Sequence, residues 1–166
     1  MSEKKKILVI QKVHEKGMEL IKNHPSFEVD VTDDTSEENL KAKIQNCDGV
    51  SIRIATLSSD IMNQANNLKI ISRHGVGYDN IDLKYAKEKD IKIAITANAN
   101  AVTVSEHVMF NLLHISKRKD LFDKTVREGN FNERNKLPKT IELWKKKFLI
   151  VGFGRIGQAL IKRCLG

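Results

Sequence analysis

The chain has 166 residues, of which 40% are hydrophobic and 30% charged, a balance typical of a folded globular protein rather than a disordered or fibrous one. Its two cysteines, Cys47 and Cys164, are too few for a disulfide scaffold and suit a reducing compartment. The net charge is +8, and the whole excess lies in residues 101–166, which hold 14 basic and 6 acidic side chains.

Short apolar runs alternate with amphipathic segments along the first hundred residues. Runs rich in β-branched residues predict strands, at residues 7–10, 27–31, 49–54, 68–72 and 91–95. The segments between them predict helices, at residues 14–23, 35–44, 58–65 and 82–89. Thr35 with Glu38 is a capping-box pattern and opens the second of these helices. Such alternation favours an α/β fold, with parallel strands and helices on both faces of the sheet.

The pattern changes after residue 97, where we place a domain boundary. Thr103 and Glu106 form a second capping-box pattern, which opens a longer helix. The elements predicted beyond the boundary are this helix, an irregular stretch, a buried strand and a last helix, at residues 103–119, 129–147, 148–151 and 155–165. The first domain, 1–97, therefore holds a five-stranded sheet, whereas 98–166 holds only the opening strand and helix of a second domain.

Several partners are disfavoured by composition. No apolar run approaches the about 20 residues of a membrane span, and the run at 7–10 is too short for a signal peptide. We therefore expect a cytoplasmic protein without a membrane partner. The basic excess is compatible with nucleic-acid binding. However, the bases are mixed with acids and lack interleaved aromatic side chains, so we expect no nucleic-acid partner.

The strongest motif lies between the predicted strand at 148–151 and the helix after it. Gly152-Phe153-Gly154-Arg155-Ile156-Gly157 matches the pattern G-x-G-x-x-G. The first glycine permits a tight turn, the second lets a pyrophosphate approach the backbone, and the third lets the helix pack closely on the strand. A glycine-rich turn in an ordinary strand–helix unit is the alternative. The flanking strand and helix favour a dinucleotide site.

A second motif follows the predicted strand at 68–72. It reads Arg73-His74-Gly75-Val76-Gly77-Tyr78-Asp79-Asn80-Ile81-Asp82. Ligands of open α/β sheets bind at the carboxyl ends of the strands, and two glycines there let backbone N–H groups approach a small anion. A tight turn is the alternative, slightly favoured by local chemistry, with Asn80 in a left-handed conformation and Asp82 capping the next helix.

Arg53 closes another apolar strand. A guanidinium at a strand's carboxyl end suits a carboxylate or phosphate, although a side chain that extends to solvent explains it equally well. His107 and His114 lie seven residues apart, which is not the spacing of metal ligands on a helix. Neither cysteine has a partner for metal binding or nucleophilic catalysis. We therefore predict no metal site and assign no catalytic residue.

Three segments in order resemble the D-isomer-specific 2-hydroxyacid dehydrogenases, and most closely the members that act on phosphoglycerate. The segment from Arg73 to Asp82 resembles the family's substrate loop. Asn98-Ala99-Asn100-Ala101-Val102-Thr103-Val104-Ser105-Glu106-His107 resembles its hinge helix, and the segment from Gly152 to Gln158 resembles its cofactor loop. Order and spacing agree over the whole chain, which resembles the amino-terminal portion of a family member.

The resemblance implies a fold and an activity. Residues 1–97 would form a flavodoxin-like substrate domain, and 98–166 would form a linker helix and the first βα unit of a Rossmann NAD-binding domain. The activity would be hydride transfer from C2 of a small 2-hydroxy acid to NAD. The position that separates NAD from NADP would lie about 20 residues after the glycine loop, so NADP is equally allowed. Family members form homodimers.

The resemblance also implies site residues. The substrate would be held by Arg53, Gly75, Val76 and Gly77. The cofactor would be held by Val76, Thr103, Gly152, Gly154, Arg155, Ile156 and Gly157. The family's substrate-polarising Arg and its His–Glu acid–base pair follow the cofactor loop and match no position in these 166 residues. We therefore expect no turnover by this chain alone. A non-catalytic, dinucleotide-responsive binding or dimerisation module is the alternative.

Overall fold

A computed structural model describes residues 3–165 of the chain. These residues divide after Ala97 into two compact units, which are described separately. Along residues 3–165, no helix is both long and apolar enough to cross a membrane.

The first unit is built on a five-stranded parallel sheet in the order β2-β1-β3-β4-β5. Its strands, β1 to β5, are Lys5–Ile10, Phe27–Thr32, Gly49–Ile52, Ile70–Arg73 and Lys92–Ile95. Its helices, α1 to α4, are Glu15–Lys22, Glu37–Ile44, Ser59–Met62 and Leu83–Glu88. The predicted α/β alternation and the parallel sheet are confirmed.

The core lies between the sheet and the helices that follow its strands. Leu8 with Ile10 on β1 and Val50 with Ile52 on β3 enter this core at period two. Val9, between Leu8 and Ile10, is also buried, so β1 is covered on both faces. On α2, Leu40 and Ile44 lie four residues apart and are both buried. The fully buried side chains are Leu8, Val9, Ile10, Leu40, Ile44, Val50, Ile52, Leu57, Met62 and Ile71.

Three helices of this unit, α1, α3 and α4, begin at a residue whose side chain accepts a capping hydrogen bond, and α2 does not. Ser58 and Asp82 accept a hydrogen bond from the backbone N–H of Ile61 and Tyr85, respectively. The capping box at Thr35 was wrong. The N-cap of α2 is Ser36, and its side chain makes no capping bond. The pattern predicted the start of the helix to within one residue, but it predicted the wrong N-cap residue.

The second unit is mostly helical. It contains α5 (Ala101–Lys117), α6 (Lys119–Arg127), a 3-10 helix (Phe131–Lys136) and α7 (Arg155–Leu165). The predicted long helix is interrupted at Arg118, whose left-handed φ of 51° separates α5 from α6. The second capping box was also wrong. Asn100 is the N-cap of α5, and Thr103 lies within the first helical turn.

The buried strand predicted at 148–151 is absent from the part of the chain that the structure describes. These residues form no strand, and Leu149 and Val151 are 84% and 91% exposed. A strand needs a neighbour to accept and donate its backbone hydrogen bonds. Within 98–165 no strand supplies one. The apolar run is present, but its pairing partner is not.

Asp48 ties β1 to the start of β3. Its carboxylate accepts hydrogen bonds from the Lys6 backbone N–H at 2.8 Å and from Lys5 Nζ at 3.1 Å. The backbone hydrogen bond, followed by the Lys5 ammonium, lowers the pKa of Asp48 below its ordinary value. The ionised Asp48 carboxylate therefore stabilises the folded state fully above the pKa of an unfolded aspartate, about 3.9. This stabilisation is lost as pH falls through the lower folded pKa.

We expect Asp48→Asn to lower the free energy of unfolding at pH 7 by no more than about 1 kcal/mol, since water screens this partly exposed pair. The difference between variant and wild type should shrink as the pH is lowered toward 2. Urea unfolding at several pH values measures both effects. A difference that grows on acidification would contradict the assignment.

Candidate functional site

The carboxyl ends of four strands lie level with one another. Ile10 pairs with Ile52, Ile52 with Arg73, and Arg73 with Ile95. The residues that follow these strands are therefore presented along one edge of the sheet. The two predicted substrate segments, Arg53 and the loop 75–77, begin at this edge.

The loop after β4 continues the pairing of the sheet before it turns away. The His74 N–H donates to the carbonyl of Ile52 at 2.8 Å, and the Thr96 N–H donates to the carbonyl of Gly75 at 3.0 Å. These bonds attach the loop to the strands on either side. Gly75 and Val76 are partly buried, whereas Gly77 is exposed.

Gly75 is the position in this loop where a side chain would be strained and would displace a neighbour. Its φ is 153°, a conformation that L residues rarely adopt, and an added Cβ would overlap the Arg73 guanidinium. Arg73 Nη1 donates to the carbonyl of His74 at 3.1 Å, and its buried Nε has no partner among the described residues. The glycine therefore allows a cation to lie against the backbone of the loop.

Arg53 is exposed at the same edge. Its Nη1 donates to the backbone carbonyl of Lys12 at 3.1 Å. Of the residues that the structure describes, none places a carboxylate within ion-pair distance of its guanidinium. A charged, incompletely paired guanidinium beside a glycine-rich loop can bind a carboxylate or phosphate group.

Three residues that the sequence analysis did not assign hold these loops in place. They are Arg73, described above, Gln11 and Asn80. Asn80 Nδ2 donates to the carbonyl of Ala55 at 2.6 Å. Asn80 does not adopt the left-handed conformation allowed by the turn interpretation. Gln11 directly follows the buried strand β1, and this position is the sequence feature that could have identified it as a site-edge residue.

The three glycines of the glycine-rich turn in the second unit differ in the reason why a glycine is needed. Gly152 has a φ of 93°, as a tight turn requires. An added Cβ on Gly157 would lie 2.6 Å from the carbonyl oxygen of Gly152, so this glycine lets the turn contact the start of α7. Gly154 has open space around its Cα.

The start of α7 offers backbone donors to an anion. The first N–H groups of a helix have no acceptor inside the helix, and α7 begins at Arg155. The N–H groups of Arg155, Ile156 and Gly157 are therefore free of helical bonds, and the helix dipole favours negative charge beside them. The turn and the helix start fit a dinucleotide pyrophosphate. Thr103 is exposed in the first turn of α5.

One cavity of the first unit lies away from this edge. It has a volume of about 680 Å³ and lies at the amino ends of the strands, opposite the edge that carries Arg53. Its lining includes Lys4, Lys5, Lys69 and Asp48. Ligands of open parallel sheets bind at the carboxyl ends, so we assign the site by position in the fold rather than by cavity size. In residues 3–165, no three His, Cys, Asp or Glu side chains converge in a metal-binding arrangement.

The sheet order and the parallel pairing of its strands define an α/β protein. Residues 7–154 match the family described as D-isomer specific 2-hydroxyacid dehydrogenase, catalytic domain. The chain belongs to this family, which confirms the resemblance found in its motifs.

Individual relatives support the same assignment. The chain is 33% identical to D-3-phosphoglycerate dehydrogenase of Methanocaldococcus jannaschii over 95% of its own length and 30% of the relative's. It is 36% identical to hydroxypyruvate reductase of Thermotoga maritima over 89% of its length and 47% of the relative's. The chain thus spans half or less of the length of these relatives.

A solved structure shares the fold. The crystal structure of NAD-dependent formate dehydrogenase from Staphylococcus aureus in complex with NAD aligns with a TM-score of 0.81 and 25% identity. The alignment covers 96% of this chain and 53% of that one. The α/β fold with a parallel sheet is therefore shared with a dehydrogenase.

Proposed function

We propose that the chain supplies the substrate-binding domain and the start of the cofactor-binding domain of an NAD-dependent oxidoreductase. The reaction is hydride transfer from C2 of a small D-2-hydroxy acid to the nicotinamide. The substrate domain is 1–97, and the linker helix and cofactor segment are 98–166. The observation that carries this proposal is the shared sheet edge of Arg53 and the loop 75–77. We also propose a cytoplasmic location, which suits two free cysteines.

The substrate carboxylate is bound by backbone N–H groups around Gly75, Val76 and Gly77. Arg53 approaches the other polar end of the 2-hydroxy or 2-keto acid. Both contacts orient the substrate before the reaction, which lowers the entropy lost in reaching the reactive geometry. The incompletely paired guanidinium of Arg53 supports this role.

The cofactor pyrophosphate is bound at the turn that contains Gly152, Gly154 and Gly157, by the N–H groups of Arg155 and Ile156. Val76 and Thr103 border the nicotinamide side. When bound, the cofactor supplies an acceptor for the hydride. The residues of this turn fit NAD and NADP alike. The acidic residue that distinguishes the two cofactors would lie about 20 residues after the turn.

We expect the 166-residue chain alone to show no turnover. No residue of this sequence matches the family's substrate-polarising Arg or its His–Glu pair, and proton transfer needs a group within hydrogen-bond reach of the hydroxyl. The test incubates purified chain with NAD and, separately, 3-phosphoglycerate, D-glycerate and D-lactate, and follows NADH absorbance. A full-length D-3-phosphoglycerate dehydrogenase is the positive control. NADH formation above the no-protein rate would contradict the expectation.

A second candidate is a non-catalytic binding or dimerisation module that responds to the dinucleotide. The large exposed apolar side chains of the second unit favour it, since apolar side chains left exposed can be covered by a partner. Trp144 is 72% exposed, and Leu149 and Val151 are more so. Sedimentation of the chain with and without NADH tests this candidate. A monomer unaffected by NADH would count against it, whereas a homodimer that forms or dissociates when NADH is added would support it.

A further inference from the structure

We infer that Gln11 is a positioning residue for Arg53, which acts by holding the loop after β3 through its side-chain amide. The inference rests on the proposed function, because it assigns to Gln11 a role in the binding of the substrate by Arg53. Among the described residues, Gln11 makes no hydrogen bond to the loop 75–77.

Gln11 makes two converging hydrogen bonds. Its Oε1 accepts the backbone N–H of Ile54 and that of Ala55, each at 3.0 Å. These are the first two residues after Arg53, so one oxygen fixes the backbone that carries the guanidinium. Both donors lie 43 or more positions away in sequence.

The backbone of Gln11 has a strained conformation. Its φ is 66°, in the left-handed region that non-glycine residues avoid. Its N–H donates to the carbonyl of Thr32 at 2.8 Å, which holds the turn after β1 in place. Strain of this kind persists where the surrounding structure requires it, and it clusters at functional sites.

Asn80 bonds to carbonyl groups of the same loop. Its Nδ2 donates to the carbonyl of Ala55 at 2.6 Å and to the carbonyl of Arg53 at 3.4 Å. Arg53 in turn donates to the carbonyl of Lys12, the residue after Gln11. The backbone of the loop is therefore fixed by two side-chain amides, and the guanidinium has one backbone acceptor before a ligand arrives. Such preorganisation raises affinity because less freedom is lost on binding.

The test uses three substitutions of Gln11 and one matched control. Gln11→Met keeps the length of the side chain but removes its hydrogen-bond acceptor. Gln11→Glu keeps the acceptor. Gln11→Gly removes the side chain but allows the left-handed backbone, and it replaces the Met variant if that one fails to fold. Gln45→Met makes the same chemical change at an exposed position at the end of α2.

The first readout is amide hydrogen exchange at Ile54 and Ala55. In Gln11→Met we expect both amides to exchange roughly tenfold faster, which corresponds to the loss of a hydrogen bond of ordinary strength. Gln11→Glu should retain wild-type protection, and Gln45→Met should leave both amides unchanged. Unchanged exchange in Gln11→Met would overturn the inference.

The second readout is the affinity for 3-phosphoglycerate, with and without Arg53→Ala. We expect Gln11→Met to weaken binding about fivefold in the wild-type background and by less than about twofold with Arg53→Ala, because coupled residues are not additive. Equal weakening in both backgrounds, or the same weakening by Gln45→Met, would overturn the inference. A wild-type chain that binds none of 3-phosphoglycerate, D-glycerate and D-lactate would overturn the proposed function instead, and amide exchange alone would then decide whether Gln11 holds the loop.

Discussion

Gly157→Ala should abolish NADH binding by the chain and destabilise the second unit. The new Cβ would lie 2.6 Å from the backbone carbonyl oxygen of Gly152 and 3.5 Å from Ile150 Cγ2. A backbone atom cannot rotate away as a flexible side chain can, so the turn must separate from α7. Overpacking of this kind costs about 1–3 kcal/mol. NADH fluorescence titration and amide exchange in α7 measure the two effects.

Gly154→Ala is the matched control for this prediction. No heavy atom lies within 4 Å of a Cβ at this position, and its φ is not in the left-handed region. We therefore expect amide exchange in α7 to stay at the wild-type level. The methyl group would nevertheless stand where the pyrophosphate approaches the backbone, so NADH affinity should fall. If Gly157→Ala bound NADH as the wild type does, the turn would not be the cofactor site.

Gly75→Ala should have the largest effect on the substrate edge. Its Cβ would overlap the Arg73 guanidinium, which must leave its bond to the carbonyl of His74. The φ of 153° adds backbone strain, and such strain costs about 1–3 kcal/mol. We expect a lower free energy of unfolding and loss of 3-phosphoglycerate binding. Urea unfolding and calorimetric titration measure them.

Gly129→Ala separates backbone strain from displacement of Arg73. Gly129 also has a left-handed φ, of 75°, but an added Cβ there would meet no heavy atom within 4 Å. We expect its strain to lower stability in the second unit without changing 3-phosphoglycerate affinity. If Gly75→Ala retained full affinity, the loop 75–77 would not be the carboxylate site.

Much of the first unit could be predicted because its signals are local. Apolar runs predicted all five strands, and parallel pairing then placed Arg53 and Gly75 at one edge of the sheet. The exact helix starts could not be predicted, because adjacent residues such as Thr35 and Ser36 offer the same hydroxyl. Which of them becomes the N-cap depends on how the incoming chain leaves the strand.

The failures have a common physical cause. The run 148–151 has the composition of a buried strand, but strand pairing requires a neighbour that composition cannot reveal. Gln11 and Asn80 could not be assigned to the loop after β3, because each bonds to backbone groups far away in sequence. Hydrogen bonds of this kind depend on loop geometry that no residue pattern encodes.

Titration of the isotopically labelled chain with 3-phosphoglycerate locates the substrate site by the backbone and guanidinium chemical shifts that change. We expect saturable changes at Gly75, Val76, Gly77 and the Arg53 side chain. Changes confined to the lysine-lined cavity at the amino ends of the strands, or no saturable change at the carboxyl edge, would contradict this expectation.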